Sequence, residues 1–365
     1  MITEIAVKNF KSLKNIKVQT RNLNLLMGLN GMGKSSFIQT LLLLMQSDKL
    51  EDRVLDLKGL LAQIGQGRDA FYQFADDEFI GINLGFDNQE FYNWKFKYQS
   101  DKEKLTAELG YTKKQMEFFR SSTKKFQYIN AERIGPQEIY DASSVVVADK
   151  KQLGLQGEFA AYYINLFGGT HEVRKELQHG DAISTKLNAQ LNAWMHEISP
   201  GVSVNTKYIP EVNKVILDYQ FDYGNQKTNS FRPKNVGFGI SYVLPIVLAL
   251  LTAEEGKIIV IENPESHIHP KGQAELGKLI SLAASIGAQL FIETHSDHIL
   301  NGIRVAVKEQ HIVKEKVNIM YFEKTTTEKE QYTKITQIRV DKNGTLSEYP
   351  KDFLDEWSNQ ISQLI

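Results

Sequence analysis

Residues Gly28–Ser36, GLNGMGKSS, constrain this chain more than any other stretch. Gly28, four residues, then Gly33-Lys34-Ser35 has the spacing of a phosphate-binding loop. Such a loop wraps backbone N–H groups around a nucleotide's phosphates, sets the Lys34 ammonium on the β/γ oxygens and offers the Ser35 hydroxyl to Mg²⁺. The context fits on both sides. Leu23–Met27 reads as a short buried strand, and Ser36–Met45 as an apolar helix, the strand–loop–helix setting that the spacing requires. Asn30, Gly31, Gly33, Lys34, Ser35 and Ser36 are therefore the nucleotide-binding candidates on this loop.

The bulk numbers exclude more than they assign. The 365 residues are 42% hydrophobic and 24% charged, with a net charge of -1 and no cysteine. That length can bury a substantial core and allows one to three domains. No global basic field points to nucleic acid, so any such contact must be a local patch. Disulfides and thiolate metal sites are excluded, which is compatible with the cytoplasm. The first eighteen residues alternate apolar and polar without the apolar middle of a leader peptide. The longest apolar run, Val243–Leu251, is too short to cross a bilayer and contains Pro245, so the expectation is a soluble protein with no membrane partner.

Along the chain, Ile2, Ile5, Val7, Phe10, Leu13, Ile16 and Val18 mark a pair of strands ahead of the phosphate loop. Lys8, Lys11, Lys14 and Lys17 on their polar side could touch a phosphate backbone, or form a charged, solvated edge that resists pairing with other chains. Gln63 or Gln66, near the Gly65–Gly67 turn, could sense a γ-phosphate or be polar surface. From Phe79 a period of two runs through Phe86 and again through Tyr92, Trp94, Phe96 and Tyr98 across an Asp87-Asn88 turn. This is a hairpin whose aromatic stripe suits a half-buried sheet better than a base-stacking platform. Lys113, Lys114, Arg120, Lys124 and Lys125 form the best basic cluster, in a stretch expected to be partly helical. Phe126–Ile129 reads as a strand, with Arg133 beyond its end able to reach a site. Helices are expected at 158–167 and 184–198, and a second hairpin at 202–209 and 214–221. Residues 46–230 thus read as a mixed insertion between core halves 1–45 and 231–365 of a single domain. No sustained heptad pattern supports coiled-coil arms.

The C-terminal half supplies more candidates. Asn235–Ser241 precedes an apolar helix expected over Tyr242–Leu251, where Gly237 and Gly239 allow close backbone approach and Ser241 could grip an anion. Lys257–Glu262 is an apolar strand ending in an acid, which delivers a carboxylate to Mg²⁺ at the C-terminal edge of a parallel sheet. A helix should begin at Pro270, and the strand at 288–292 leads into ETHSDHIL, placing His295 at the same edge. His267 and His269 invite a metal reading, but no third and fourth ligand stands at suitable spacing. Beyond them, strands at 317–322 and 332–340, an Asn343-Gly344 turn and a helix from Asp352 to Leu364 complete the chain. Glu323 and Asp341 are isolated acids expected to be solvated.

FKSLKNI, GLNGMGKSS, VGFGIS, IIVIENPESHIHP and THSDHIL, in that order, resemble the ABC-type ATPases of the RecF, SMC and OLD group. YINAERIGP, GLQGEFAAYY and EYPKDFLDEW extend the likeness to a subgroup of AAA/ABC ATPases common in prokaryotic defence neighbourhoods. The resemblance implies an α/β fold: a P-loop NTPase of the ABC-ATPase head type, with a mixed sheet core, an antiparallel β subdomain and an α+β insertion. It also implies ATP and Mg²⁺ as cofactors, and a homodimer or higher even-numbered oligomer in which Gly237, Gly239 and Ser241 of one copy act on the γ-phosphate held by the other. His295 becomes the switch histidine. One departure matters. The family's acidic strand ends Asp-Glu-Pro, whereas here it reads Glu262-Asn263-Pro264-Glu265. Glu262 can serve the metal, but Asn263 cannot accept a proton as a carboxylate does. Either Glu265 takes over as base, or hydrolysis is slow and ATP binding is the switch, or the water is positioned without a base.

The leading functional expectation is an ATP-dependent dimerising switch in anti-phage defence, controlling an effector in trans such as a nuclease, as in Septu-like systems, with nucleic acid a candidate ligand. A RecF-like repair ATPase is the alternative. A transporter motor fits less well because VGFGIS departs from Leu-Ser-Gly-Gly-Gln. A small-molecule kinase leaves Gly237–Ser241 and His295 unexplained. No acidic cluster after His295 suggests a nuclease fused in the same chain.

Overall fold

The computed structural model describes residues 1–47, 54–108, 125–224, 226–350, 353 and 356–364. By its internal contacts the chain divides into two compact units. One comprises Met1–Lys125, Glu315–Asp341 and Leu346–Ile365, the other Phe126–Lys314 and Lys342–Thr345.

The first unit opens with β1 (Ile2–Phe10) and β2 (Leu13–Gln19), an antiparallel pair in which Ile5 faces Val18 and Val7 faces Ile16. These apolar partners are buried, as period-two patterning requires. β3 (Leu23–Met27) is buried throughout and leads through the glycine loop into α1 (Lys34–Gln46). Phe37, Ile38 and Leu41–Met45 of α1 are all buried, so the helix is enclosed on nearly every side. Its Phe37 ring meets Phe322 edge-on at 5.8 Å. After β4 (Val54–Asp56) and the short α2 (Gly67–Ala70), β5 (Phe79–Phe86) and β6 (Phe91–Lys97) form the expected hairpin. β7 (Lys104–Thr106) pairs with β4. The larger sheet has the order β2-β1-β5-β6.

Several polar candidates of the sequence have structural duties here. Lys14 pairs with Glu330 at 2.5 Å and Lys17 with Glu4 at 3.0 Å; Lys8 pairs with Asp77, and Lys11 Nζ donates to Gln39 Oε1 at 2.8 Å. These four lysines are matched within the unit, which favours the charged-edge reading over a phosphate track. Tyr92, Trp94 and Phe96 are buried, so the aromatic stripe is core. Gln63 bridges to Lys58, and the Gln66 N–H donates to Asp69 Oδ2 at 2.8 Å, both local arrangements. Lys113, Lys114, Arg120 and Lys124 lie outside the described residues, as does most of the helix expected around them.

The second unit is built on a parallel ladder. β8 (Phe126–Ile129) pairs with a strand more than a hundred residues later, so the segment 46–230 contributes directly to that ladder. β9 (Ile139–Asp141), β10 (Val202–Ile209), β11 (Lys214–Tyr223) and β12 (Gln226–Lys227) make an antiparallel sheet, with β11 central. α3 (Ala160–Phe167) and α4 (Leu187–Ile198) accompany it. α5 (Phe238–Leu251) begins four residues before the Tyr242 start expected from the sequence. Gly237 is its extended N-cap, so Phe238–Ser241 form the first turn and do not lie ahead of it. β13 (Ile258–Glu262) pairs in parallel with β8 on one side and with β14 (Gln289–Glu293) on the other. Between them, α6 (Pro270–Ser285) starts at the proline, whose missing N–H costs nothing in a first turn. α7 (Asp297–Lys308) is capped by Ser296 Oγ, which accepts from the Ile299 N–H at 3.1 Å.

β15 (Val317–Thr326), β16 (Gln331–Ile338) and α8 (Glu356–Leu364) complete the first unit. β15 runs parallel to β3 and antiparallel to β16, which makes the sheet mixed. Glu323 pairs with Lys334 at 2.6 Å on the surface. Among the described residues, no helix is long and apolar enough to cross a membrane.

Candidate functional site

In the first unit the phosphate loop is fixed by tight contacts. Gly33 has φ 101°, and a Cβ there would collide with Thr333 Oγ1 and crowd Ser12 Oγ. Only glycine combines that backbone with that neighbour. Thr333 Oγ1 donates to the Met32 carbonyl at 2.9 Å and lies 2.8 Å from Ser12 Oγ, which ties β16 and the β1–β2 turn to the loop. Lys34 is buried, and its Nζ donates to the carbonyls of Gly28 at 2.8 Å and Leu29 at 2.9 Å. Its ammonium is thus held under the loop crest, while Asn30, Gly31 and Ser35 are exposed and Ser36 is half-buried. This cationic cradle with an exposed hydroxyl fits a nucleotide phosphate and its Mg²⁺.

In the second unit the C-terminal edge of the parallel ladder gathers acceptors. Glu262 closes β13 and is mostly buried. Its Oε1 accepts from the Tyr128 hydroxyl at 3.0 Å, and its Oε2 from the Ala131 N–H at 3.3 Å. Burial pushes its carboxyl above the usual range and outweighs those hydrogen bonds and the nearby Arg133. Its in-register partner on β14 is Glu293, also buried. Two acids thus end adjacent parallel strands. Arg133, only 3% exposed, donates from Nη1 to the carbonyls of Asn130 at 3.1 Å and Glu262 at 2.7 Å, and from Nη2 to that of Asn263 at 2.7 Å. Burial lowers its pKa to about 10. Asn263 takes the left-handed φ of 45°, and its N–H donates to the Glu293 carbonyl at 2.8 Å. The side-chain oxygens of Asn130 and Asn263 are buried without a hydrogen-bond partner. An edge so rich in acceptors, with a carboxyl of raised pKa, fits a divalent cation, which would relieve the cost of desolvated charge. The donor set is all oxygen, as Mg²⁺ prefers.

Glu265 faces the segment that follows β14. Its Oε2 accepts from Thr294 Oγ1 at 2.7 Å, and its Oε1 from the His295 N–H at 2.8 Å. Ser296 Oγ donates to Gln273 Oε1 at 2.5 Å, which ties the same segment to α6. The His295 side chain is exposed at this edge. With both oxygens engaged, Glu265 fixes the backbone that carries His295. Gly237 and Phe238 are exposed at the start of α5, and the back of Gly239 lies against the His267 carbonyl. Ser241, by contrast, is buried, with its Oγ 3.2 Å from the Tyr219 hydroxyl. Its side chain therefore belongs to the interior, and only the backbone of this turn is available to an anion. The exposed His267 ring packs edge-on to Tyr242 at 5.0 Å, and His269 Nδ1 accepts from the Lys271 N–H at 3.3 Å. Neither belongs to a group of three or more metal-ligating side chains among the described residues.

Sequence reasoning missed Glu293 and Tyr128. The signal for Glu293 was present, since β14 ends in an acid just as β13 does; its weight depends on the parallel register, which no local pattern specifies. Tyr128 looked like one more apolar strand residue.

Residues 100–301 match the family model described as "AAA domain, putative AbiEii toxin, Type IV TA system". The chain belongs to this AAA family. Residues 1–145 also match the "AAA ATPase domain" model, and 312–364 the model described as "Protein of unknown function (DUF3696)". Among solved structures, this AAA chain is similar to an SMC head bound to the C-winged helix domain of ScpA. That match has 12% identity and a TM-score of 0.54, over 93% of this chain and 98% of the other. It is also similar to the Pyrococcus furiosus SMC head with an extended coiled coil, bound to the C-terminal domain of ScpA, at 10% identity and a TM-score of 0.55 over 100% and 99% of the two chains. These likenesses establish the ABC-ATPase head fold, and the family matches establish an AAA ATPase domain. A curated relative, uncharacterized protein MJ1542 of Methanocaldococcus jannaschii, is 33% identical over 66 residues, 18% of this chain. The chain spans only 8% of that relative's length.

Proposed function

We propose that this AAA ATPase is an ATP-dependent dimerising switch of the cytoplasm that controls a partner effector, such as a nuclease, in anti-phage defence. The observation that carries the reading is the latch from Glu265 to Thr294 and His295, which links the acidic strand's loop to the switch segment. In this reading Lys34 and the loop N–H groups hold the nucleotide's phosphates with Ser35 offered to Mg²⁺, and the resemblance of the sequence gives Glu262 a metal-serving role. When bound, the metal supplies positive charge to phosphate oxygens that gain charge during transfer. Glu293 adds a second carboxylate able to orient or deprotonate water, a task Asn263 cannot perform. Glu265 positions His295, and the N-cap and first turn of α5, Gly237–Ser241, offer backbone N–H groups to the nucleotide of a second copy. The ScpA domains seated on the similar SMC heads support an effector in trans, and the defence setting follows the resemblance of the sequence.

The test is the mass of the purified chain with and without ATP and Mg²⁺, combined with pull-down from native cells under both conditions. The reading expects ATP-dependent doubling of mass and an ATP-dependent co-purifying protein. A monomer in both states sinks it. Tight, salt-sensitive DNA binding with no protein partner would instead favour a repair ATPase.

A further inference from the structure

A second cluster of chemistry-bearing side chains lies in the second unit, among residues the phosphate chemistry does not use. His179, Asp181 and Glu197 each present one ligand atom, and these atoms lie within 4.8 Å of one another. They line a cavity of about 360 Å³ beside α4 and β10. We propose that these three residues bind a divalent transition-metal ion of the zinc class.

The geometry of the histidine carries the argument. His179 Nδ1 accepts from the Asp181 N–H at 3.2 Å, which leaves the ring proton on Nε2. Nε2 faces Glu197 Oε1 at 3.8 Å, too far for a hydrogen bond. Two ligands each about 2.0–2.1 Å from a tetrahedral zinc stand roughly 3.3 Å apart, so a small closure converts this gap into a shared ion. On binding, the Nε2 proton leaves to solvent. Nδ1 takes up a proton from solvent in exchange, so the ring stays neutral with no net change in protons, and the long Asp181 contact is given up.

The surroundings are built. Gln190 is 2% exposed; its Oε1 accepts from the His179 N–H at 2.6 Å, and its Nε2 donates to the Ser184 carbonyl at 2.8 Å. One buried amide thus staples the 179–184 loop to α4. The imidazole rests edge-on against Trp194 at 5.1 Å, and the indole is fixed by its N–H to the Leu177 carbonyl at 2.9 Å. Lys227, which lines the same cavity, has its ammonium on Ser203 Oγ at 2.7 Å. Two carboxylates match the charge of a divalent ion, and the imidazole selects zinc-class metals over Mg²⁺ or Ca²⁺. Three protein ligands beside an open cavity leave a fourth position for water or an exogenous ligand.

The experiment uses the full chain without nucleotide, so failure of the ATP reading does not affect it. Chelator-treated protein is loaded with Zn²⁺, desalted and assayed for zinc, with circular dichroism as the folding control. Wild type and His311→Ala, a surface histidine outside the cavity, should each retain one equivalent. His179→Gln and Glu197→Gln should bind at least about tenfold more weakly. If wild type retains none, or the two variants retain as much as wild type, the site does not exist. Should a variant fail to fold, Co²⁺-loaded wild type decides. Visible bands of four-coordinate cobalt are expected, and a six-coordinate spectrum overturns the proposal.

Discussion

The Glu265 carboxylate clasps the segment after β14, with Oε1 accepting the His295 N–H at 2.8 Å and Oε2 the Thr294 hydroxyl at 2.7 Å. A carboxylate occupied on both oxygens is poorly disposed to take a proton from water. Glutamine at 265 can accept from His295 and donate to Thr294, so Glu265→Gln should hold ATP turnover within a few-fold of wild type. Glu265→Ala should lose about 10²-fold, the scale of a misplaced catalytic group. Comparison of kcat for the two variants checks this; equal, deep losses would make Glu265 the base.

Glu293 stands in register with Glu262 on the neighbouring parallel strand. If it supplies the carboxylate that Asn263 lacks, Glu293→Gln should lower kcat by about 10²-fold while nucleotide affinity stays near wild type. Glu262→Gln should instead raise the Mg²⁺ concentration needed for half-maximal turnover. A single-turnover assay with a Mg²⁺ titration separates the two effects, and an unchanged kcat for Glu293→Gln removes it from the mechanism.

Gly33 sits at φ 101° with Thr333 Oγ1 where a Cβ would go. Gly33→Ala should therefore destabilise the chain by about 1–3 kcal/mol and abolish nucleotide binding. Gly180→Ala, where a Cβ meets nothing within 4 Å, should be nearly silent. Urea unfolding of both, with fluorescent-nucleotide titration, tests the contrast.

The legible parts of the fold were those written in local patterns. Period two located β5 and β6, Pro270 located the start of α6, and glycine spacing located the phosphate loop. Less legible were features set by pairing across long separations. β8 joins β13 across more than a hundred residues, so the stretch 46–230 looked like an insertion although it supplies a strand to the parallel ladder. Ser241 reads as an anion ligand in one dimension, but the helical turn begins at Phe238 and carries its side chain inward to Tyr219. The His179 cluster was invisible for the same reason, because Glu197 lies eighteen residues from its partner and is brought back only by α4.

Lys257, 7% exposed just before β13, has an unusual ionisation with a measurable consequence. Its Nζ donates to the Thr252 carbonyl at 3.2 Å, yet burial lowers its pKa from 10.5 to about 8, a pull that nearby Glu254 only partly opposes. Between about pH 8 and 10.5 the unfolded chain holds this proton and the folded chain does not, so stability rises with pH across that window. Below pH 8 both states are protonated and the cost is fully present, on the order of 3 kcal/mol for a shift of this size. Lys257→Met removes the proton but also leaves the Thr252 carbonyl without that donor. The clean observable is therefore the pH slope and not stability at a single pH. Urea unfolding from pH 7 to 10.5 should show wild type gaining on Lys257→Met as pH rises; parallel curves would mean that Lys257 keeps an ordinary pKa in the folded protein.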